Sequence, residues 1–161
     1  MLVYMLGINR ILLALFIGAW LSLVIVIITD ISKEFVFADV SRLEDSIIKV
    51  TNEVRVKNGL NPLIKDDKLT LNAERYAIVN ANHGKISHEH EPLITRMPEH
   101  CMSIGENLYQ GRDDVQGIVG AWLRSPSHRE NILDHEWDRI GVGMARSGYQ
   151  IIVVQLFCST R

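Results

Sequence analysis

The N-terminal part of the chain contains a long, mostly apolar run, since no charged residue occurs between Arg10 and Asp30. About 20 apolar residues, at roughly 1.5 Å of rise per residue, form a helix long enough to cross the hydrocarbon core of a bilayer. The basic Arg10 precedes the run and the acidic Asp30 follows it, which predicts a cytoplasmic N-terminus and an exported remainder. The pattern therefore predicts one N-terminal transmembrane or signal helix with its apolar core at residues 11–29.

A cleaved signal peptide accounts for the same run. The apolar region of a signal peptide usually spans roughly 7–15 residues, which is shorter than the run found here. The small-residue pattern at Val36-Phe37-Ala38 is nevertheless one that signal peptidase accepts. Two localisations stay open: membrane-anchored with the domain outside the cytoplasm, or secreted after cleavage near Ala38. In both, residues 1–38 are the anchor or signal peptide, the membrane is the partner of that segment, and residues 39–161 are the functional domain.

After residue 38 the apolar positions recur at helical intervals. Ser41, with Glu44 three residues later, has the spacing of a capping box and predicts the start of a helix that ends near Gly59. A second helix is predicted to begin near Asp67. The periodicity then disappears between residues 82 and 100, which predicts a long loop.

In the second half of the chain, the pattern of apolar positions predicts strands as well as a helix. A strand is predicted at Ser103–Leu108, followed by a helix that begins at Asp113-Asp114 and is broken at Ser125-Pro126-Ser127. Two closing strands, Ile140–Ala145 and Gln150–Phe157, flank a Ser-Gly turn signal and predict a hairpin. Helices first and a hairpin last are typical of an α+β domain.

The charge balance limits the partners of this chain, and the two cysteines raise the question of a disulfide. The chain has 17 Lys+Arg against 19 Asp+Glu, so it has no basic surplus and no nucleic acid is expected as a partner. The two cysteines, Cys101 and Cys158, lie in the exported part, where a disulfide is permitted. Two buried free thiols are the alternative. Their wide spacing lacks a CxxC metal signature.

All six histidines fall between His83 and His135, and Glu106 lies in the same interval. Imidazole is a common metal ligand and titrates near neutral pH, so this concentration indicates a metal site or an acid/base site. No HExxH motif occurs, and Ser127-His128 has no aspartate at the spacing of a triad. The spacing alone leaves both alternatives open.

A series of short motifs carries a family resemblance. In chain order they are NEVR at 52–55, GLNPL at 59–63, SH at 87–88, GENL at 105–108, Trp122, SPSHRENIL at 125–133, IGVG at 140–143 and QLF at 155–157. This order resembles the CAP superfamily, also called SCP-like, over about residues 41–157, and the SPSHRENIL segment is similar to its bacterial-type branch. The resemblance implies a three-layer α-β-α sandwich with a central, mostly antiparallel sheet.

The resemblance also implies a cleft lined by two histidines and acidic groups. The positions that match are His88, the glutamate Glu106 of the GEN motif, and His128. A second glutamate, which follows the helix tryptophan in animal and plant members, is absent because Leu123 follows Trp122. The remaining set of two imidazoles and one carboxylate suits a divalent metal, zinc above all, whose coordination is completed by water. We therefore expect these three residues to form the cleft, with the catalytic residues unknown.

The expected function is an extracytoplasmic CAP-domain protein whose His/Glu cleft binds a divalent metal or a small ligand. One alternative is a metal-assisted hydrolase in which Glu106 acts as the base. Another is a pure interaction module for cell-wall material, lipid or another protein. The fold does not decide between these classes, because one fold hosts many functions.

Overall fold

The structure is a computed structural model that describes the backbone of residues 2–161 and the side chains of Trp20, residues 22–30 and residues 39–161. It contains two compact units, Met1–Val40 and Ser41–Arg161. Among the residues that it describes, no helix has the length and apolar character that a membrane span requires. Part of the predicted apolar core, at residues 11–19 and 21, lies outside the described side chains, as does the proposed cleavage pattern at 36–38.

The first helix, α1, extends over Leu2–Lys57, so the helix start predicted at Ser41 is wrong. The sequence from residue 19 to residue 58 contains neither glycine nor proline, and no residue in it interrupts a helix already formed. Glu44, expected as the capping partner, is instead buried within the helix. The predicted end is confirmed, because Gly59 follows the helix with a φ of 76°.

The second unit adds three helices, a 3-10 helix and four strands. Their bounds are β1 at Ile64–Lys65, α2 at Asp67–His83, the 3-10 helix at Leu93–Arg96, β2 at Ser103–Gly111, α3 at Val115–Arg124, α4 at Pro126–Leu133, β3 at Arg139–Ser147 and β4 at Gln150–Ser159. The helix predicted from Asp67, the strand predicted from Ser103 and the closing hairpin are confirmed. Helix α4 was not predicted from the sequence. Pro126 stops α3 and also occupies the first turn of α4, where its missing N–H costs nothing.

The four strands form one mixed sheet in the order β1-β3-β4-β2. The short β1 pairs with β3 in parallel, while β3 pairs with β4 and β4 with β2 in antiparallel fashion. The chain therefore has an α+β fold, and β2 forms one edge of its sheet. This edge is where the candidate site lies.

Strand β4 divides the core into two clusters because successive side chains of a strand point to opposite faces. Ile151, Val153 and Phe157 belong to the cluster that includes apolar residues of α1, α3 and α4. Ile152, Val154 and Leu156 belong to the cluster formed with α2. Helices thus cover both faces of the sheet.

Helix α2 packs against the backbone of β3. A Cβ atom added at Gly143 would overlap the backbone nitrogen of Glu74, and one added at Gly141 would overlap the backbone of Leu69 and Thr70. Glycine at these two positions therefore lets the helix approach the strand without intervening side chains. This contact fixes α2, which in turn positions the loop that follows it.

Cys101 and Cys158 form a disulfide, with their Cα atoms 5.7 Å apart. It connects the loop after the 3-10 helix to the last strand. The sequence had left this pairing open.

Candidate functional site

The loop that carries His88 is held by buried polar side chains of α2. The Tyr76 hydroxyl donates a hydrogen bond of 2.6 Å to the carbonyl oxygen of Ser87, and the backbone N–H of Ser87 donates one of 2.8 Å to Oδ1 of Asn80. Tyr76 and Asn80 are both fully buried. His88 therefore leaves a segment whose position is set by the helix core.

Glu106 lies on β2, and its carboxylate is almost completely buried. Its Oε1 lies 2.7 Å from Nδ1 of His88 and also accepts a hydrogen bond of 3.1 Å from Nη2 of Arg96. An ionised carboxylate only accepts hydrogen bonds, so this contact assigns the ring proton of His88 to Nδ1. When the ring is neutral, Nε2 of His88 carries the free lone pair.

Arg96, from the 3-10 helix, supplies the charge that balances Glu106. Its guanidinium is fully buried, lies 3.5 Å above the centre of the Tyr76 ring, and donates a hydrogen bond of 2.9 Å to the carbonyl oxygen of Glu91. Its Nη2 lies 3.0 Å from Oε2 of Glu106. Sequence reasoning missed this residue, because a single arginine in an aperiodic segment gives no signal before its partner is known.

His128 approaches the same place from the other side of the sheet. It lies in the first turn of α4, and its ring centre is 6.3 Å from that of His88, with an angle of 46° between the ring planes. Burial, and then the neighbouring His88, lower the pKa of His128 below its ordinary value. The neutral imidazole, which is the form that binds metals, is thereby favoured.

A chain of amide side chains fixes α4 against β2. Nδ2 of Asn131 donates 2.9 Å hydrogen bonds to the carbonyl oxygen of Glu106 and to Oδ1 of Asn107. Nδ2 of Asn107 donates hydrogen bonds of 3.1 Å to the carbonyl oxygen of His128 and to Oε1 of Gln155. The carbonyl oxygens of Glu106 and His128 are thus each tied to a side chain of the neighbouring element.

The side chains of β2 point alternately to the two faces of the sheet, which explains why residues from both faces meet at this edge. Glu106 and Asn107 are consecutive and point to opposite faces. Glu106 meets the loop after α2, whereas Asn107 meets α4. His88 and His128 come from these two opposite layers, and they meet where no further strand covers β2.

The structure brings the three predicted site residues together as a contacting pair, His88 and Glu106, with His128 beside His88. They are not a group in which a donor atom from each residue lies within 4.8 Å of the others. Other histidines lie outside this cleft: His83 stacks on His90 at 4.0 Å between ring centres, and His100 contacts Asp66.

The sequence profile of the cysteine-rich secretory protein family, CAP, matches residues 48–157. The chain therefore belongs to the CAP family, and the resemblance drawn from its motifs is confirmed. The uncharacterized protein YkwD of Bacillus subtilis is 32% identical over 119 residues, which are 69% of this chain and 46% of YkwD. The chain thus spans about half the length of that relative.

Solved structures show the same fold. An outer surface protein of Borrelia burgdorferi is 30% identical with a TM-score of 0.64, over 71% of this chain and 90% of that protein. An extracellular SCP-domain protein of Bacillus anthracis is 21% identical with a TM-score of 0.65, over 74% of this chain and 41% of that protein, and supports the fold alone. The name of the Borrelia burgdorferi protein places that similar protein at an outer surface.

Proposed function

We propose that this chain is an extracytoplasmic CAP-domain protein that binds a divalent metal ion, zinc, with His88 and His128 as ligands and Glu106 as the carboxylate that orients His88. The observation that carries the proposal is the 2.7 Å contact between Nδ1 of His88 and Oε1 of Glu106. A histidine that binds a metal almost always donates its other ring N–H to a carboxylate, a carbonyl or water, which fixes the tautomer and raises the basicity of the ligand.

The electrostatics of His128 support the same assignment. Because burial lowers its pKa, this imidazole stays neutral to a lower pH than an exposed one, and it needs no deprotonation before it binds metal at neutral pH. Two imidazole ligands leave the remaining coordination positions to water or to a ligand from solution. A metal ion held by two histidines can therefore exchange its other ligands with water or with a ligand from solution.

Glu106 fits the orienting role better than the role of a direct ligand. Its Oε1 is engaged by both His88 and Arg96. Its Oε2 lies 3.0 Å from Nη2 of Arg96 yet accepts no hydrogen bond among the described residues. Both carboxylate oxygens thus lie against the guanidinium, which compensates the charge of Glu106.

The test is a calorimetric titration of zinc into the full, oxidised chain at pH 7.5. We expect His128→Ala to lower the zinc affinity at least tenfold, and His135→Ala, which alters a histidine outside the cleft, to leave it unchanged. Circular dichroism checks that each variant is folded. Wild-type binding no tighter than that of the folded His128→Ala variant would overturn the proposal.

We also propose that the N-terminal segment keeps this domain at a membrane. The described side chains from Leu23 to Ile28 are apolar and exposed on every side of the helix, as expected for a helix that is solvated by lipid. Full-length protein should therefore fractionate with membranes. A native N-terminus at Asp39, found in culture supernatant, would instead establish cleavage.

A further inference from the structure

A second group of metal-binding atoms lies outside the cleft. His100, Cys101 and Cys158 each offer one ligand atom, a ring nitrogen or a sulfur, and these atoms lie within 4.8 Å of one another. No other group of three or more His, Cys, Asp or Glu side chains in the described part of the chain meets this criterion. In the present state the two sulfurs are bonded to each other and cannot act as thiolates.

We propose that reduction of the Cys101–Cys158 disulfide converts this group into a zinc site, with the two thiolates and the His100 imidazole as ligands. Thiolate and imidazole are the ligands that zinc prefers in proteins. Three protein ligands leave a fourth position for water or for a ligand from solution. The proposal is independent of the cleft, because it uses none of the cleft residues.

A carboxylate that can orient His100 is already in place. Nε2 of His100 lies 2.7 Å from Oδ2 of Asp66, so that in the neutral ring with its proton on Nε2 it is Nδ1 that would bind the metal ion. Asp66 is itself fixed, because its Oδ1 accepts a hydrogen bond of 2.9 Å from the backbone N–H of Leu69 at the start of α2. A carboxylate that orients a histidine in this way raises its basicity as a metal ligand.

Backbone hydrogen bonds hold the two cysteines together without the disulfide. The N–H of Met102, next to Cys101, donates to the carbonyl oxygen of Ser159, next to Cys158, at 2.8 Å. The carbonyl oxygen of Cys158 accepts a further bond of 3.0 Å from the N–H of Asp138. The cysteine Cα atoms, 5.7 Å apart, are therefore held near each other by the sheet in either redox state.

The conversion balances with a dithiol as the reductant. The dithiol supplies two electrons and two protons and becomes a disulfide, while the S–S bond between Cys101 and Cys158 breaks and two thiols form. Zinc then displaces both thiol protons to solvent. The resulting centre of one dication and two thiolates is neutral, which suits the burial of both cysteines.

Cobalt(II) is the probe for the test, because bound thiolates give it strong near-ultraviolet charge-transfer bands. The full chain is compared in its oxidised form and after treatment with a phosphine, which takes the oxygen of water to form a phosphine oxide and leaves two thiols. The chain contains only two cysteines, so these bands report on this site alone. We expect the reduced chain to bind one more cobalt ion than the oxidised chain, with bands that zinc abolishes, and no such bands from the oxidised chain.

Three variants make the test specific. His100→Ala should weaken cobalt binding by the reduced chain at least tenfold, Cys101→Ser should abolish the bands, and His128→Ala should leave them unchanged. The last variant separates this site from the cleft. Absence of the bands from reduced wild type, or equal cobalt affinity of His100→Ala and wild type, would overturn the proposal.

Circular dichroism covers the case in which reduction unfolds the domain. Recovery of the folded spectrum on addition of zinc to reduced wild type, and not to reduced His100→Ala, would support the site, because metal binding there then supplies folding free energy. Failure of zinc to restore the spectrum would count against it.

Discussion

Arg96 and Glu106 form an ion pair that is closed to solvent: Nη2 lies 3.0 Å from Oε2, and the two residues are 0% and 5% exposed. The pair joins the 3-10 helix to the edge strand β2, and the same carboxylate contacts His88. Removing one partner of a buried pair leaves an uncompensated charge, whereas replacing both partners is often nearly neutral. Each residue of the pair therefore depends on the other, and the shared carboxylate sets the orientation of the cleft histidine.

Arg96→Met should lower the free energy of unfolding by about 3–5 kcal/mol, because it strands the buried Glu106 carboxylate. The double variant Arg96→Met/Glu106→Gln should recover most of that loss. Urea unfolding of Arg96→Met, Glu106→Gln and the double variant measures the coupling free energy between the two residues. Arg75→Met is the matched control, because its pair with Glu91 is solvent-exposed, and it should cost less than about 1 kcal/mol. Equal losses for Arg96→Met and Arg75→Met would contradict this account.

Glu44 is a second buried carboxyl group, and its pKa is raised to about 7 by burial and then by the negative charge of Glu74. Lys65 and the backbone N–H of Met144 oppose this shift, and Asp45 adds to it. Because the pKa is higher in the folded state, the folded chain binds more protons than the unfolded chain between about pH 4.5 and pH 7. The stability contributed by Glu44 is therefore fully present below that window and is lost as the pH rises through it.

Glu44→Gln should remove this pH dependence. At pH 8 the variant should be more stable than wild type by up to about 3 kcal/mol, and at pH 4.5 the two should be nearly equal. Thermal unfolding across this pH range measures the difference. Glu53→Gln, at an exposed position of the same helix, serves as the control and should leave the profile unchanged. A variant that is less stable than wild type at pH 8 would show that ionised Glu44 is stabilising.

Gly143→Ala should destabilise the domain by about 1–3 kcal/mol or more, because its Cβ would overlap backbone atoms of α2 that cannot move independently. Gly120→Ala provides the comparison. Its Cβ would meet only the mobile end of Arg124, at 3.3 Å, and alanine is the better helix former by about 1 kcal/mol. Chemical denaturation of both variants should give shifts of opposite sign. A neutral Gly143→Ala substitution would contradict the close packing of α2 on β3.

Elements with local signals were predictable from the sequence. Helix α2 begins after Asp66, whose side chain caps the backbone N–H of Leu69, and the hairpin turns at Gly148, whose φ is 61°. Helix α4 was missed because Ser-Pro-Ser reads equally well as a helix stop and a helix start. The helix start predicted at Ser41 is wrong because a capping spacing has no effect inside a helix that nothing interrupts.

The candidate site was predictable only in part. The motifs identified His88, Glu106 and His128 through the family resemblance. They could not show that the Glu106 carboxylate is shared with Arg96, because that pairing depends on how an aperiodic segment folds against an edge strand. The motifs predict Glu106 as a metal ligand, whereas its hydrogen bonds to His88 and Arg96 favour an orienting role.

The central claim is that His88 and His128 together hold the metal ion. Anomalous diffraction at the zinc absorption edge, from crystals of the oxidised chain soaked in zinc, tests it most directly. The account predicts a peak about 2.0–2.1 Å from a ring nitrogen of both His88 and His128, with Glu106 still hydrogen-bonded to His88 and outside the coordination sphere. An ordered cleft without a peak, or a zinc ion bound to the Glu106 carboxylate and to only one histidine, would contradict it.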